Sequence, residues 1–143
     1  MTSKGLISFF SEDIAFQLDN QNNTALWAQK TISKEAKKTG DITYVFCSDT
    51  YLHKINLEHL NHDTFTDIIT FNYCDGDLIS GDIFISIDRV KENAITFHTT
   101  FKEELNRVMI HGILHLVGYN DKSDSDKELM RSKEDFYLSL HPK

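Results

Sequence analysis

The sequence predicts an α+β domain, a small mixed β-sheet covered by helices. Three observations carry that expectation. Short runs rich in β-branched and aromatic residues interleave with helical patterns in the first half of the chain. Helical patterns alone fill the last third, each opened by a capping-box sequence. One of these late helices carries two histidines four residues apart, His111 and His115, followed by Gly118 and Asp121. At 143 residues and 40% hydrophobic content, one core and one domain spanning residues 1–143 account for the whole chain.

The elements follow in order. Residues 5–10, GLISFF, are short, apolar and aromatic, and predict a first strand. After the Asn20–Asn23 cluster, Leu26, Trp27, Ile32 and Ala36 trace a helical stripe from Thr24 to about Thr39, closed by Gly40. Residues 41–48 predict a second strand, and Ser48 or Asp49 an N-cap for a helix reaching Leu60. A loop is expected over 61–64, and strands over 67–73 and 81–88. The turn-rich Cys74–Asp77 between them predicts antiparallel pairing. Thr100 and Glu103 open the main helix, which runs to Val117 and buries Leu105, Val108, Met109, Gly112 and Leu116 with the histidines at the edge of the stripe. Ser125 and Glu128 are expected to open a terminal helix ending near Pro142.

The chemistry concentrates between His111 and Asp121. Four residues make about one helical turn, so His111 and His115 project from one face and their imidazoles can reach one ion. Gly118 tolerates the conformation that ends a helix, letting the chain turn back and bring Asp121 beside them. The pattern H-G-x-x-H-x-x-G-x-x-D shares its spacing with the H-E-x-x-H-x-x-G-x-x-H zinc site of the metzincin proteases. It points to one zinc ion, or another divalent transition metal, held by His111, His115 and Asp121 with a fourth position open to water. Gly112 stands where those proteases carry the glutamate base, which weighs against a protease.

The same stretch resembles the hallmark of the YbeY family of metal-dependent endoribonucleases, H-G-x-L-H-L-x-G-Y-D-H, at His111, Gly112, Leu114, His115, Leu116, Gly118 and Tyr119. Asn120 replaces the family's aspartate and Asp121 its third histidine, and aspartate is a competent oxygen ligand for zinc. Ile55 to Asp63 with Thr66 to Phe71, and Gly81 to Ser86, resemble two further family segments. Leu60 there takes the place of the family's arginine, a suspected phosphate contact, and Phe65 that of its proline. The resemblance implies a four-stranded sheet with one antiparallel strand and a metzincin-like metal helix. It also implies a zinc-dependent endoribonuclease of ribosomal RNA maturation, with ribosomal RNA or the small ribosomal subunit as partner.

Composition narrows the alternatives. A formal charge of −7 opposes indiscriminate nucleic-acid binding, and the excess is local, because residues 49–88 hold eight acidic side chains against Lys54 alone. No apolar run could span a bilayer and no secretory signal core is visible, so a cytoplasmic protein, expected to be a monomer, is the reading. Cys47 and Cys74 read as buried free thiols.

Arg107 stands one turn before His111, where it can contact phosphate or pair with Glu103 or Glu104. Glu104 reads first as solvated helix surface, and Asp67 and Asp82 as turn-capping residues ahead of their strands. His53, His59 and His62 have no ligand spacing. Three rival functions stay open: a metzincin-like protease, a two-histidine, one-carboxylate iron oxygenase, and a non-catalytic ribosome-assembly factor with a structural metal.

Overall fold

A computed structural model describes residues 5–62 and 64–141, so Asp63 and Pro142 lie outside the described residues. Strand β1 (Ile7–Ser11) leads through α1 (Gln21–Lys34) to β2 (Lys38–Cys47), and α2 (Asp49–Leu60) leads to β3 (Ile68–Asn72) and β4 (Leu78–Ser86). Helices α3 (Ile87–Thr96), α4 (Phe101–Val117) and α5 (Asp124–Ser139) complete the chain. The sheet order is β1-β2-β4-β3. The first two neighbouring pairs are parallel, which requires crossover connections, and α1 supplies the first. Strands β3 and β4 pair antiparallel across a tight turn in which Gly76 takes φ 57° and the Leu78 N–H donates to the Asp75 carbonyl at 3.0 Å. The expected four-stranded sheet with one antiparallel strand is therefore present.

Each face of the sheet is covered. On one, Ile42, Tyr44, Phe46, Ile83 and Ile85 meet Trp27 and Ile32 of α1, Val108, Met109 and Ile113 of α4, and Tyr137 of α5. At Gly112 helix α4 lies close against the sheet: a Cβ there would stand 2.9 Å from the Ile83 side chain and 3.1 Å from that of Ile68. The Tyr44 hydroxyl donates to the Met109 carbonyl at 3.0 Å and ties β2 to the middle of the same helix. A smaller cluster of Cys47, Leu52 and Ile69 lies under α2. Among the described residues no helix is long and apolar enough to cross a membrane.

Several boundaries differ from the sequence reading. Helix α1 runs from Gln21 to Lys34 and is stopped by Ala36 at φ 61°, while Gly40 lies inside β2. Pairing of Lys38 and Thr39 with Leu78 and Ile79, across a bulge, extends β2 backwards beyond its local propensity. The third helix was not foreseen: Ser86 ends β4 and accepts a hydrogen bond from the Arg89 N–H, turning residues expected to finish a strand into a helix start. Helix α5 opens on a capping box of Ser123 and Asp126, not Ser125 and Glu128. Thr100 caps α4 by accepting from the Glu103 N–H, but the Glu103 carboxylate accepts from the Thr99 hydroxyl instead of closing the box.

Candidate active site

Helix α4 carries His111 and His115 on the side that looks past β3 toward α5. Gly118, at φ 128°, ends the helix, and its N–H and that of Tyr119 both return to the Leu114 carbonyl. That turn brings Asp121 back, with its Oδ2 3.6 Å from His111 Nε2. Glu35 holds the turn from the far side, accepting from the Tyr119 hydroxyl at 2.6 Å and from the Tyr137 hydroxyl.

Both imidazoles are fixed through Nδ1. His111 Nδ1 stands 2.7 Å from Glu134 Oε2 of α5, and His115 Nδ1 stands 3.1 Å from Thr70 Oγ1 of β3. Glu134 is buried, its side chain only 7% exposed, and its second oxygen accepts from Arg107 at 2.8 Å. Arg107 in turn donates to Asp135 at 2.7 Å. Burial pulls the His111 pKa down, but the hydrogen bond and charge of Glu134, with Asp121 and Asp67, outweigh it and leave the pKa raised. Burial also opposes charge on Glu134, yet His111 and Arg107 prevail and keep it below the usual carboxylate value. His115 is lowered by burial and by the neighbouring His111.

These groups line a cleft of about 440 Å³ together with Asp67, Asn93, Phe97, Glu104 and Arg131. Burial raises the pKa of Asp67, with His111 opposing, and burial and the Asp67 charge raise that of Glu104, with Arg107 and Arg131 opposing. Burial thus shifts both carboxyls toward the neutral form in the cleft that holds the two histidines.

The donor set suits a transition metal. An Nδ1–H that donates to Glu134 or to Thr70 leaves each Nε2 its lone pair, the tautomer a metal ligand needs. Ligand atoms about 2.0–2.2 Å from a tetrahedral zinc stand roughly 3.4 Å apart, close to the separation of His111 Nε2 and Asp121 Oδ2. Among the described residues no three His, Cys, Asp or Glu side chains already share ligand spacing. Asp121, 48% exposed on its loop, is the donor with room to adjust.

Residues 7–141 match the family described as Endoribonuclease YbeY. The chain belongs to this family. Its relatives include the Endoribonuclease YbeY of Flavobacterium johnsoniae, 57% identical over 92% of this chain and 94% of that protein. That of Christiangramia forsetii is 53% identical over 96% and 95%. A solution structure of a Thermotoga maritima protein aligns with a TM-score of 0.67 at 28% identity, covering 94% of this chain and 87% of that one.

Within this YbeY-family chain the predicted residues fall as follows. His111, His115, Asp121 and Arg107 line one cleft, and Leu60, exposed at the end of α2, is not among its lining residues. Arg107 pairs with Glu134 and Asp135 of α5, not with Glu103 or Glu104. Glu104 is buried in the cleft wall, not solvated, because α4 turns that face toward Asp67 and α5. Asp67 also faces the cleft, and Asp82 lies within β4, opposite Phe71, instead of ahead of it. Phe65 stacks on His53 with ring centroids 4.4 Å apart and lies under Arg89, and His59 packs edge-on against Phe71. Cys47 is a buried free thiol, whereas Cys74 is half-buried. Sequence reasoning missed Glu134 and Thr70. The spacing of Met130, Glu134 and Tyr137, a carboxylate inside a buried helical stripe, was the available signal for Glu134.

Proposed function

We propose that this protein is a zinc-dependent endoribonuclease that acts in the cytoplasm on ribosomal RNA during maturation of the small ribosomal subunit. Family membership supports the hydrolysis of RNA phosphodiester bonds. The carrying observation for the metal is that both α4 histidines have Nδ1 occupied by protein partners, with Nε2 left for an ion beside Asp121. When bound, zinc supplies a Lewis acid and an open coordination position. The chain's own residues do the rest. Glu134 and Thr70 orient the imidazoles, Arg107 keeps Glu134 charged, and Asp67 and Glu104 stand ready to take or give a proton.

The protease reading loses support from the packing of Gly112. Its α-carbon faces Ile83 and Ile68 in the core, so a glutamate at that position would be driven into the sheet. The deciding experiment measures metal content and cleavage of ribosomal RNA by wild-type and His115→Ala protein purified identically. The wild type is expected to hold about one metal per chain and to cut RNA, and the variant to lose both while keeping its circular dichroism. Full metal occupancy in the variant overturns the ligand assignment. A metal-loaded wild type that binds ribosomal particles without cutting RNA favours the assembly-factor reading.

A further inference from the structure

The cleft holding the histidines does not end at Arg107. A second cleft of about 620 Å³ adjoins it, lined by Thr99, Lys102, Asn106 and Leu138, and the two share Phe97, Glu104, Arg107 and Arg131. At this junction the two arginines differ in what holds them. The Arg107 guanidinium is spent on Glu134 and Asp135 at 2.8 and 2.7 Å. Arg131, one turn before Asp135 on α5, has no hydrogen-bond or ion-pair partner among the described residues and acts on Glu104 only through its field. Phe97, just past the end of α3, is 62% exposed at the same place. An unpaired guanidinium beside an exposed aromatic ring offers a fork for a phosphate and a face for a base.

We propose that this junction grips the RNA strand, with Arg131 holding a backbone phosphate and Phe97 stacking an unpaired base, so that the strand runs from the second cleft to the histidines. The proposal rests on the endoribonuclease reading and adds the two residues that hold the strand. The charge in the first cleft explains why such a grip is needed. Asp121 and Glu134 stand beside the histidines, and a polyanion approaching them gains little from an arginine already held by two carboxylates.

The test measures binding of a fluorescent single-stranded oligouridylate to the full chain across a salt series, with the KM for its cleavage alongside. Arg131→Ala should weaken binding about tenfold, raising KM with little change in kcat. It should also flatten the slope of log affinity against log salt by about 0.7, the loss of one phosphate contact on a single strand. Arg131→Lys should keep the wild-type slope. Phe97→Ala should weaken binding without changing the slope, and Phe97→Tyr should restore it. Wild-type affinity and slope in Arg131→Ala overturn the proposal, as does a flattened slope in Arg107→Ala in its place. A wild type that neither binds nor cuts RNA overturns the endoribonuclease reading itself, an outcome separate from a wild type that does both without using Arg131.

Discussion

Replacing Glu134 by glutamine isolates the part that holding His111 plays in metal binding. Both carboxylate oxygens are in use, one on His111 Nδ1 at 2.7 Å and one on Arg107 at 2.8 Å, and the side chain is almost wholly buried. Glutamine has one acceptor oxygen. If it faces His111, its amide N–H groups meet the Arg107 donors, and if it faces Arg107, they meet Nδ1, which can accept them only in the Nε2–H tautomer that cannot bind a metal. Breaking a buried charged pair costs about 3–5 kcal/mol. Because Arg107 keeps Asp135 and is 22% exposed, about 2–3 kcal/mol is expected here. For a domain of this length that lowers the Tm of the metal-free protein by roughly 6–12 °C. Zinc affinity, measured by competition with a chromophoric chelator, should fall about 10- to 100-fold because His111 loses the group that sets its tautomer. Asp135→Asn is the control, since Asp135 is more than half exposed and touches only the outer edge of Arg107, so zinc affinity should stay at the wild-type value. Wild-type zinc affinity in Glu134→Gln would refute the reasoning.

Three further outcomes follow from groups around the cleft. Glu35 is nearly buried and its pKa is lowered: burial raises it, but Tyr119, Tyr137 and Lys133 outweigh burial. A depressed carboxylate stabilises the fold above its unfolded pKa, so Glu35→Gln should be about 1–3 kcal/mol less stable at neutral pH by urea unfolding. That gap should close as pH falls below the ordinary value of 4.5. Glu104 has the opposite sign, because burial and Asp67 raise its pKa. Glu104→Gln should therefore raise the Tm at neutral pH, with the gain vanishing in acid, while slowing RNA cleavage if that carboxyl carries a proton. Gly112→Ala gains about 1 kcal/mol of helix propensity but presses a Cβ against Ile83, so a net loss of roughly 1–2 kcal/mol is expected, and a more stable variant would contradict the close packing of α4 on the sheet.

Periodicity and punctuation made the α+β class legible, and with them the antiparallel β3–β4 pair and the α4 span from Thr100 to Gly118, because these depend on contacts within a few residues. The helical pitch alone placed His111 and His115 on one face, and the glycine turn brought Asp121 after them, so the cluster of three side chains at one cleft was local information. What only the tertiary structure decided involves partners far away in the chain. Pairing with β4 drew β2 back to Lys38, and Ser86 traded a strand end for the cap of α3. Docking of α5 against α4 placed Glu134 on His111, buried most of Arg107 and left Arg131 without a partner among the described residues at the junction of two clefts. Pattern along a chain reports which face of a helix is apolar, but not which helix will cover it, and the charges at this site are arranged by that second choice.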